Sequence, residues 1–291
     1  YLDRARRVAA GSADVAKLAG WAYYGLNRIE QAVGEWKRAE SIRPDAEVER
    51  ALEKAERDAE TESGYREGET RHFVLRYHGG AAPQLAREVL RTLEEHFRTI
   101  SSELNFTPAE SIGVILYTEE TFADITRAPG WVGALNDGRI RMPVQGLTSV
   151  PVEVSRVLKH ELTHSFVQQK TRGRCPVWLQ EGLAQWMEGQ RSSESAEALV
   201  AAKERGGGIP LAALEGTWMN LPEQAVSYAY AWSLAVVENV VNTYGTGDIV
   251  RVLDRLPAEP SAEAASIRVL RMDYAELERE TTRYLRHTYL H

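Results

Sequence analysis

Residues 159–164 read Lys-His-Glu-Leu-Thr-His, and this stretch decides how the rest of the chain is interpreted. In an α-helix His160 and His164 lie one turn apart on the same face, so both imidazoles can bind one metal ion from the same side. Glu161 points obliquely across that face. The spacing therefore predicts the helix of a zinc hydrolase.

A third ligand is required, because catalytic zinc sites use three protein side chains and keep one position open. A metzincin would place a histidine ten residues after His160, but that residue is Lys170, whose ammonium group cannot bind the metal. Glu181 lies seventeen residues after His164, in a predicted helix over residues 177–187. We therefore predict a Zn²⁺ site formed by two histidines and this glutamate.

The residue types also predict a reaction. A water molecule on zinc becomes acidic enough to attack a carbonyl group near neutral pH. Glu161 is then the expected general base, which accepts the proton of that water and delivers it to the leaving amine. The alternative is an amphipathic core helix with two hydrogen-bonded histidines, but that interpretation leaves the carboxylate at position 181 unexplained.

The sequence resembles the gluzincin metallopeptidases, specifically the bacterial peptidase-MA-like group that is distantly related to thermolysin. The resemblance spans roughly residues 70 to 290 and rests on short segments at 130–133, 137–143, 160–164, 176–184, 228–229 and 244–245. It implies an α+β fold with a zincin (thermolysin-like) catalytic domain. We expect a mixed, mostly antiparallel sheet, the zinc helix beneath it and a helical C-terminal lobe.

One position departs from the pattern of this family. Thermolysin-like enzymes carry an aspartate one turn after the glutamate ligand, where it orients a histidine, and this chain has Gln185 there. A glutamine can accept a hydrogen bond from an imidazole N–H, but it carries no charge. A histidine bonded to Gln185 would therefore lack the charged partner that tunes the ligand in thermolysin-like enzymes.

Two tyrosines on a predicted helix over residues 222–242 are candidates to stabilise the oxyanion of the reaction. Tyr228 and Tyr230 lie about 200° apart around the helix, so only one of them can face the zinc. Tyr228 shares its face with Gln224 and Trp232, as a cleft wall would, and the family resemblance places its tyrosine at the Tyr-Ala pair. We predict Tyr228 as the donor and Tyr230 as a core residue; the alternative is that both simply pack in the core.

Residues 138–144 predict an exposed edge strand beside the zinc, along which a peptide substrate could pair. Apolar and basic side chains alternate from Arg139 to Met142, and Pro143 is tolerated mainly at sheet edges. The alternative is an ordinary hairpin strand with a solvated basic face.

The composition is that of a globular protein with one large and one smaller domain. The chain has 291 residues, of which 43% are hydrophobic and 26% are charged. Its net charge of −7 argues against a nucleic-acid-binding surface. No apolar run is long enough to predict a membrane span. The single cysteine, Cys175, excludes an intramolecular disulfide and has no evident base beside it.

Residues 1–63 predict an all-α segment of a tetratricopeptide-like repeat, followed by the catalytic domain at 64–291. The repeat interpretation rests on small, aromatic and proline residues at the expected spacings, namely Ala19, Gly20, Tyr23, Ala32, Trp36, Ala39 and Pro44. Repeats of this kind usually bind proteins or brace a neighbouring domain, so a protein partner is expected here. The alternative is an unrelated helical hairpin.

These observations predict zinc-dependent hydrolysis of peptide bonds in peptides or proteins. One alternative is an inactive zincin scaffold whose helical repeat binds a partner; the intact ligands and Glu161 argue against it. A zinc aminopeptidase is another, but no motif for holding a substrate's amino terminus is recognisable. The compartment is open, and we favour an exported or cell-envelope location in a bacterium, although no targeting segment supports that choice.

Overall fold

The computed structural model describes residues 9, 11–78, 83–118, 120–122, 134–144, 146–219 and 221–290. The segment at 130–133, part of the family resemblance, lies outside them. The chain forms two compact units, one from Tyr1–Glu94 with Ala109–Ser155 and the other from Glu95–Pro108 with Arg156–His291. The helix-rich α+β class is confirmed. Residues 63 and 64 lie within the first unit, and the domains at 1–63 and 64–291 stay a prediction.

Among the described residues, the first unit starts with three helices: α1 (Ala13–Gly25), α2 (Ile29–Ile42) and α3 (Ala46–Glu62). The Ser12 side chain caps α1 by accepting a hydrogen bond from the backbone of Val15 at 3.3 Å. A Cβ atom at Gly20 would overlap the indole of Trp36, so α1 and α2 pack closely only because this position has no side chain. The helical nature of the segment is confirmed, and its identity as a tetratricopeptide-like repeat stays a prediction.

The sheet of the first unit contains five strands among the described residues. They are β1 (Arg66–Glu69), β2 (Phe73–Tyr77), β3 (Ile112–Tyr117), β4 (Leu135–Asn136) and β5 (Arg139–Pro143), in the order β1-β2-β3-β5-β4. The outer pairs β1–β2 and β4–β5 are antiparallel, and the inner pairs β2–β3 and β3–β5 are parallel. A mixed sheet is therefore confirmed, whereas a mostly antiparallel one is wrong. Helix α4 (Pro83–Glu103) connects β2 to β3, as parallel neighbours require.

The prediction that residues 138–144 form an exposed edge strand is also wrong. Strand β5 pairs with β3 on one side and with β4 on the other. The side chains of Arg139 and Arg141 are 0% exposed. Alternating basic residues indicate a solvated face only when no acidic element covers them, and here α3 supplies buried carboxylates at Asp58 and Glu62.

We call this group the buried ion cluster; its members are Tyr24, Asp58, Glu62, Tyr117, Arg139 and Arg141. Arg139 donates to both carboxylate oxygens of Glu62 at 2.9 Å and to Asp58 at 2.8 Å. Arg141 donates to the two Asp58 oxygens at 3.0 and 2.7 Å and to both tyrosine hydroxyls at 2.6 Å. The helical segment and the sheet therefore share one buried polar core within the first unit.

The second unit is helical. Its described helices are the end of α4 from Glu95, α5 (Val152–Thr171, which begins in the first unit), α6 (Val177–Met187), α7 (Ala196–Glu204), α8 (Glu223–Tyr244), α9 (Thr246–Arg255), α10 (Ala262–Leu270) and α11 (Tyr274–Tyr289), with 3₁₀ turns at Ser192–Glu194 and Leu211–Leu214. Helix α8 is buried over most of its length and forms the centre of this unit. Within the described parts of the chain, every helix is too short or too polar to cross a lipid bilayer.

Candidate metal centre

Helix α5 presents His160 and His164 on one face, as their spacing predicts. The opposite side of the helix is anchored by Leu158, Leu162 and Phe166, which recur every four residues and are all 0% exposed. The two imidazole rings lie 4.8 Å apart between centroids, at an angle of 78°. Burial of the apolar stripe therefore fixes which way the two histidines point.

Helix α6 brings Glu181 to the two histidines. Its Oε2 lies 3.4 Å from Nε2 of His160, and its Oε1 lies 3.6 Å from Nε2 of His164. Tetrahedral zinc with bonds of about 2.0–2.2 Å separates its ligand atoms by about 3.3–3.6 Å, so this spacing suits the metal. Oε2 of Glu181 is buried and accepts no hydrogen bond of good geometry from the described residues. A buried carboxylate oxygen in this state can bind a metal ion, and the three predicted residues fit zinc.

Glu161 lies beside these groups and is only 8% exposed. Burial raises the pKa of its carboxyl to about 7, and the carboxylates of Glu181 and Glu188 act in the same direction, against the opposing charge of His160. A carboxyl with a pKa near neutrality can both accept and return a proton at physiological pH. Its environment therefore suits the general base that the sequence predicts.

The two histidines differ in protonation in the metal-free protein. Burial lowers the pKa of His160, but the adjacent carboxylates of Glu181 and Glu188 outweigh it and raise that pKa to about 10. Burial lowers the pKa of His164 to about 4. Zinc binds neutral imidazole, so metal binding has to displace a proton from His160 but none from His164.

Glu188 is a site residue that sequence reasoning missed. Its Oε1 lies 3.3 Å from Nδ1 of His160 and also accepts a hydrogen bond from the Gln190 amide at 2.6 Å. Glu188 follows Glu181 by seven residues, two helical turns, so the helix period places both carboxylates on one side of α6 and could have revealed it. The carboxylate holds the imidazole by the nitrogen that does not face Glu181.

Gln185 does not orient a histidine. Its amide nitrogen donates to the main-chain carbonyl of Glu181 at 3.1 Å and to that of Tyr230 at 3.0 Å. The carboxylate that contacts an imidazole is supplied one turn later, by Glu188. In this chain the carboxylate that contacts the histidine ligand therefore comes from residue 188, at the end of α6, and not from residue 185.

The main-chain carbonyl of Tyr230 accepts a hydrogen bond from Gln185 of α6, whereas Tyr228 contacts Trp232 and Gly208, and its predicted role stays a prediction. The Tyr228 ring stacks on Trp232, with centroids 6.3 Å apart, and a Cβ atom at Gly208 would overlap its hydroxyl. Burial raises the pKa of Tyr230, and the next contributions come from the carboxylates of Glu181 and Glu161. The sequence predicts that Tyr230 lies on a core face of α8. Helix α6, which carries the metal ligand Glu181, packs on that face.

A two-histidine, one-glutamate centre with a buried glutamate beside it is the arrangement of a metallopeptidase. Residues 100–287, well over half of the chain, match the family model of the Peptidase MA superfamily. The chain belongs to this superfamily of peptidases.

One solved structure to which the chain is similar is the M1 zinc metallopeptidase from Deinococcus radiodurans. The TM-score is 0.44 and the sequence identity is 22%, over 76% of this chain and 51% of that chain. This chain thus spans about half the length of that enzyme. A comparison with curated protein sequences gives no match.

Proposed function

We propose that this protein is a zinc-dependent peptidase that hydrolyses peptide bonds in peptides or proteins. The observation that carries the proposal is the convergence of His160, His164 and Glu181, whose ligand atoms all lie within 4.8 Å of one another. The Peptidase MA superfamily supports a peptidase. When bound, zinc would polarise the substrate carbonyl group and lower the pKa of water.

Glu161 is the proposed proton carrier. It accepts a proton from the attacking water and delivers it to the nitrogen of the leaving amine, the two transfers that peptide hydrolysis requires. Burial raises the pKa of its carboxyl in the metal-free protein, which favours uptake of a proton. Glu188 keeps the His160 ring in the orientation in which Nε2 faces Glu181.

Tyr230 is the proposed donor to the oxyanion. Negative charge develops on the carbonyl oxygen as water adds, and a positioned phenol hydroxyl stabilises it without reorganising. Burial, and then the carboxylates of Glu181 and Glu161, raise the pKa of Tyr230, and its ring packs edge-on against Trp218 at 5.1 Å. We therefore assign to Tyr230 the role that the sequence placed at Tyr228.

Two substitutions test the centre. Glu161→Gln should keep the fold and the zinc but abolish hydrolysis of an unbiased peptide library, because the residue is a base and not a ligand. Glu181→Ala should lose zinc itself. Glu153→Gln, on the exposed side of α5, is the matched control and should change neither measurement. Wild-type zinc affinity in Glu181→Ala would disprove the assignment of Glu181 as the third ligand. Full turnover in Glu161→Gln would disprove the assignment of Glu161 as the general base.

A further inference from the structure

We propose that Gln185 is a positioning residue that holds Tyr230 in place relative to the metal ligand Glu181. The inference rests on the proposed function, because it gives Tyr230 its role in the reaction. Gln185 lies in α6 and is 6% exposed. Its single amide nitrogen donates to the main-chain carbonyl of Glu181 at 3.1 Å and to that of Tyr230 at 3.0 Å.

A neutral amide side chain suits this pair of bonds. Its NH₂ group offers two N–H donors on one atom, and both are used on carbonyl oxygens in adjacent helices. A carboxylate at position 185 has no N–H or O–H to donate and would repel the two carbonyl oxygens. An aliphatic side chain would remove the hydrogen bond that the buried Tyr230 carbonyl accepts from position 185. The peptide group of the metal ligand and the peptide group of Tyr230 are thus joined through one atom.

A second contact fixes the same two helices. A Cβ atom at Gly182 would overlap the carbonyl oxygen of Ser233, so the backbones of α6 and α8 touch there. The Gln185 amide forms a bridge between the helices one turn away from this contact. The bridge lies three residues later on α6, at 185 instead of 182, and three residues earlier on α8, at 230 instead of 233. Two contacts one turn apart prevent α6 from sliding or rotating against α8.

This arrangement has a consequence for the reaction. The backbone of Tyr230 is held to α6, the helix that carries Glu181. The distance from the Tyr230 hydroxyl to the Glu181 carboxylate therefore depends on the bridge. A displacement of about 1 Å can cost about a hundredfold in rate. Loss of the bridge should therefore act on turnover through Tyr230, while the metal ligands remain in place.

The direct test follows the ring of Tyr230 in the metal-free protein. 3-Fluorotyrosine is incorporated only at position 230 and observed by ¹⁹F NMR in wild type, Gln185→Met and Gln180→Met. Gln180 is the matched control, since it lies on α6 and its amide donates to the Cys175 carbonyl at 3.0 Å. We expect a shifted or broadened signal in Gln185→Met alone. If Gln185→Met fails to fold, Gln185→Asn, whose shorter amide cannot span the gap, takes its place. An unchanged signal at position 230 would overturn the proposal.

A kinetic test separates positioning from general structural damage. Gln185→Met should lower kcat by roughly 10- to 100-fold with little change in KM or zinc content, and it should have almost no further effect when Tyr230→Phe is already present. Equal losses in both backgrounds would refute the coupling. If wild type hydrolyses no peptide, the proposed function fails, and the ¹⁹F signal still decides whether Gln185 positions Tyr230.

Discussion

Replacement of Arg141 by methionine tests whether the helical segment and the sheet are one structural unit. Arg141 is 0% exposed and pairs with Asp58 at 2.7 Å and with Asp137 at 3.1 Å, beside the Arg139–Glu62 pair. Without Arg141, Asp58 keeps only Arg139 as a cationic partner among the described residues, and Asp137 keeps Lys54. Methionine has a similar length and fills much of the space, so the change isolates the loss of charge and hydrogen bonds.

The expected cost follows from burial. Removing one partner from a buried ion pair costs about 3–5 kcal/mol, because the remaining charge is buried without compensation. Arg76→Met on β2 is the matched control: its side chain is 29% exposed and lies 3.3 Å from Glu67 and 3.5 Å from Glu62. An ion pair with that much solvent contact contributes at most about 1 kcal/mol.

Hydrogen exchange measured by mass spectrometry on peptides from α3 provides the assay, since it reports the opening free energy of one segment. A loss of about 3–5 kcal/mol should accelerate exchange roughly a hundred- to a few-thousand-fold, at about tenfold per 1.4 kcal/mol. Adding Asp58→Asn to Arg141→Met should recover part of this loss by removing one uncompensated anion. Acceleration of less than tenfold in Arg141→Met, or equal acceleration in Arg76→Met, would refute the reasoning.

Three further outcomes are expected. Glu188→Gln should weaken zinc binding about 10- to 100-fold, measured by chelator competition, because the imidazole loses its charged partner. Zinc binding at pH 8 should release about one proton, measured by calorimetry in two buffers, because His160 with a pKa of about 10 is protonated in the metal-free protein and neutral as a ligand; zinc affinity should then fall as the pH is lowered from 10. Gly182→Ala should lower Tm, since overpacking costs about 1–3 kcal/mol, whereas Gly34→Ala, with no atom within 4 Å of the added Cβ, should raise it.

Local periodicity explains what the sequence predicts well. The helix period alone places His160 and His164 together, and α6 begins and ends where the sequence pattern indicates, at Val177 and Met187. Glu181 follows because a zinc site needs a third ligand. These inferences depend on residues close together in the chain or on the chemistry of one ion.

Contacts between distant residues explain what the sequence did not reveal. The alternation at Arg139 and Arg141 is the same for a solvated and a buried strand, and only the partner at Asp58, 81 or more residues away, decides between them. Tyr230 was interpreted as core because nothing in its own helix indicates that α6 packs there. Strand β1 is not predicted from the sequence, because it is a short, largely exposed edge strand without alternating apolar residues.

The buried ion cluster also affects the order in which the protein folds during its synthesis. Asp58 and Glu62 leave the ribosome 81 and 77 residues before Arg139, their first cationic partner in the cluster. At about 5–20 residues per second this interval lasts about 4–16 s. During that time Asp58 remains hydrated, because burying a carboxylate without a cation is unfavourable. The helical segment is therefore synthesised well before the strand that completes its packing.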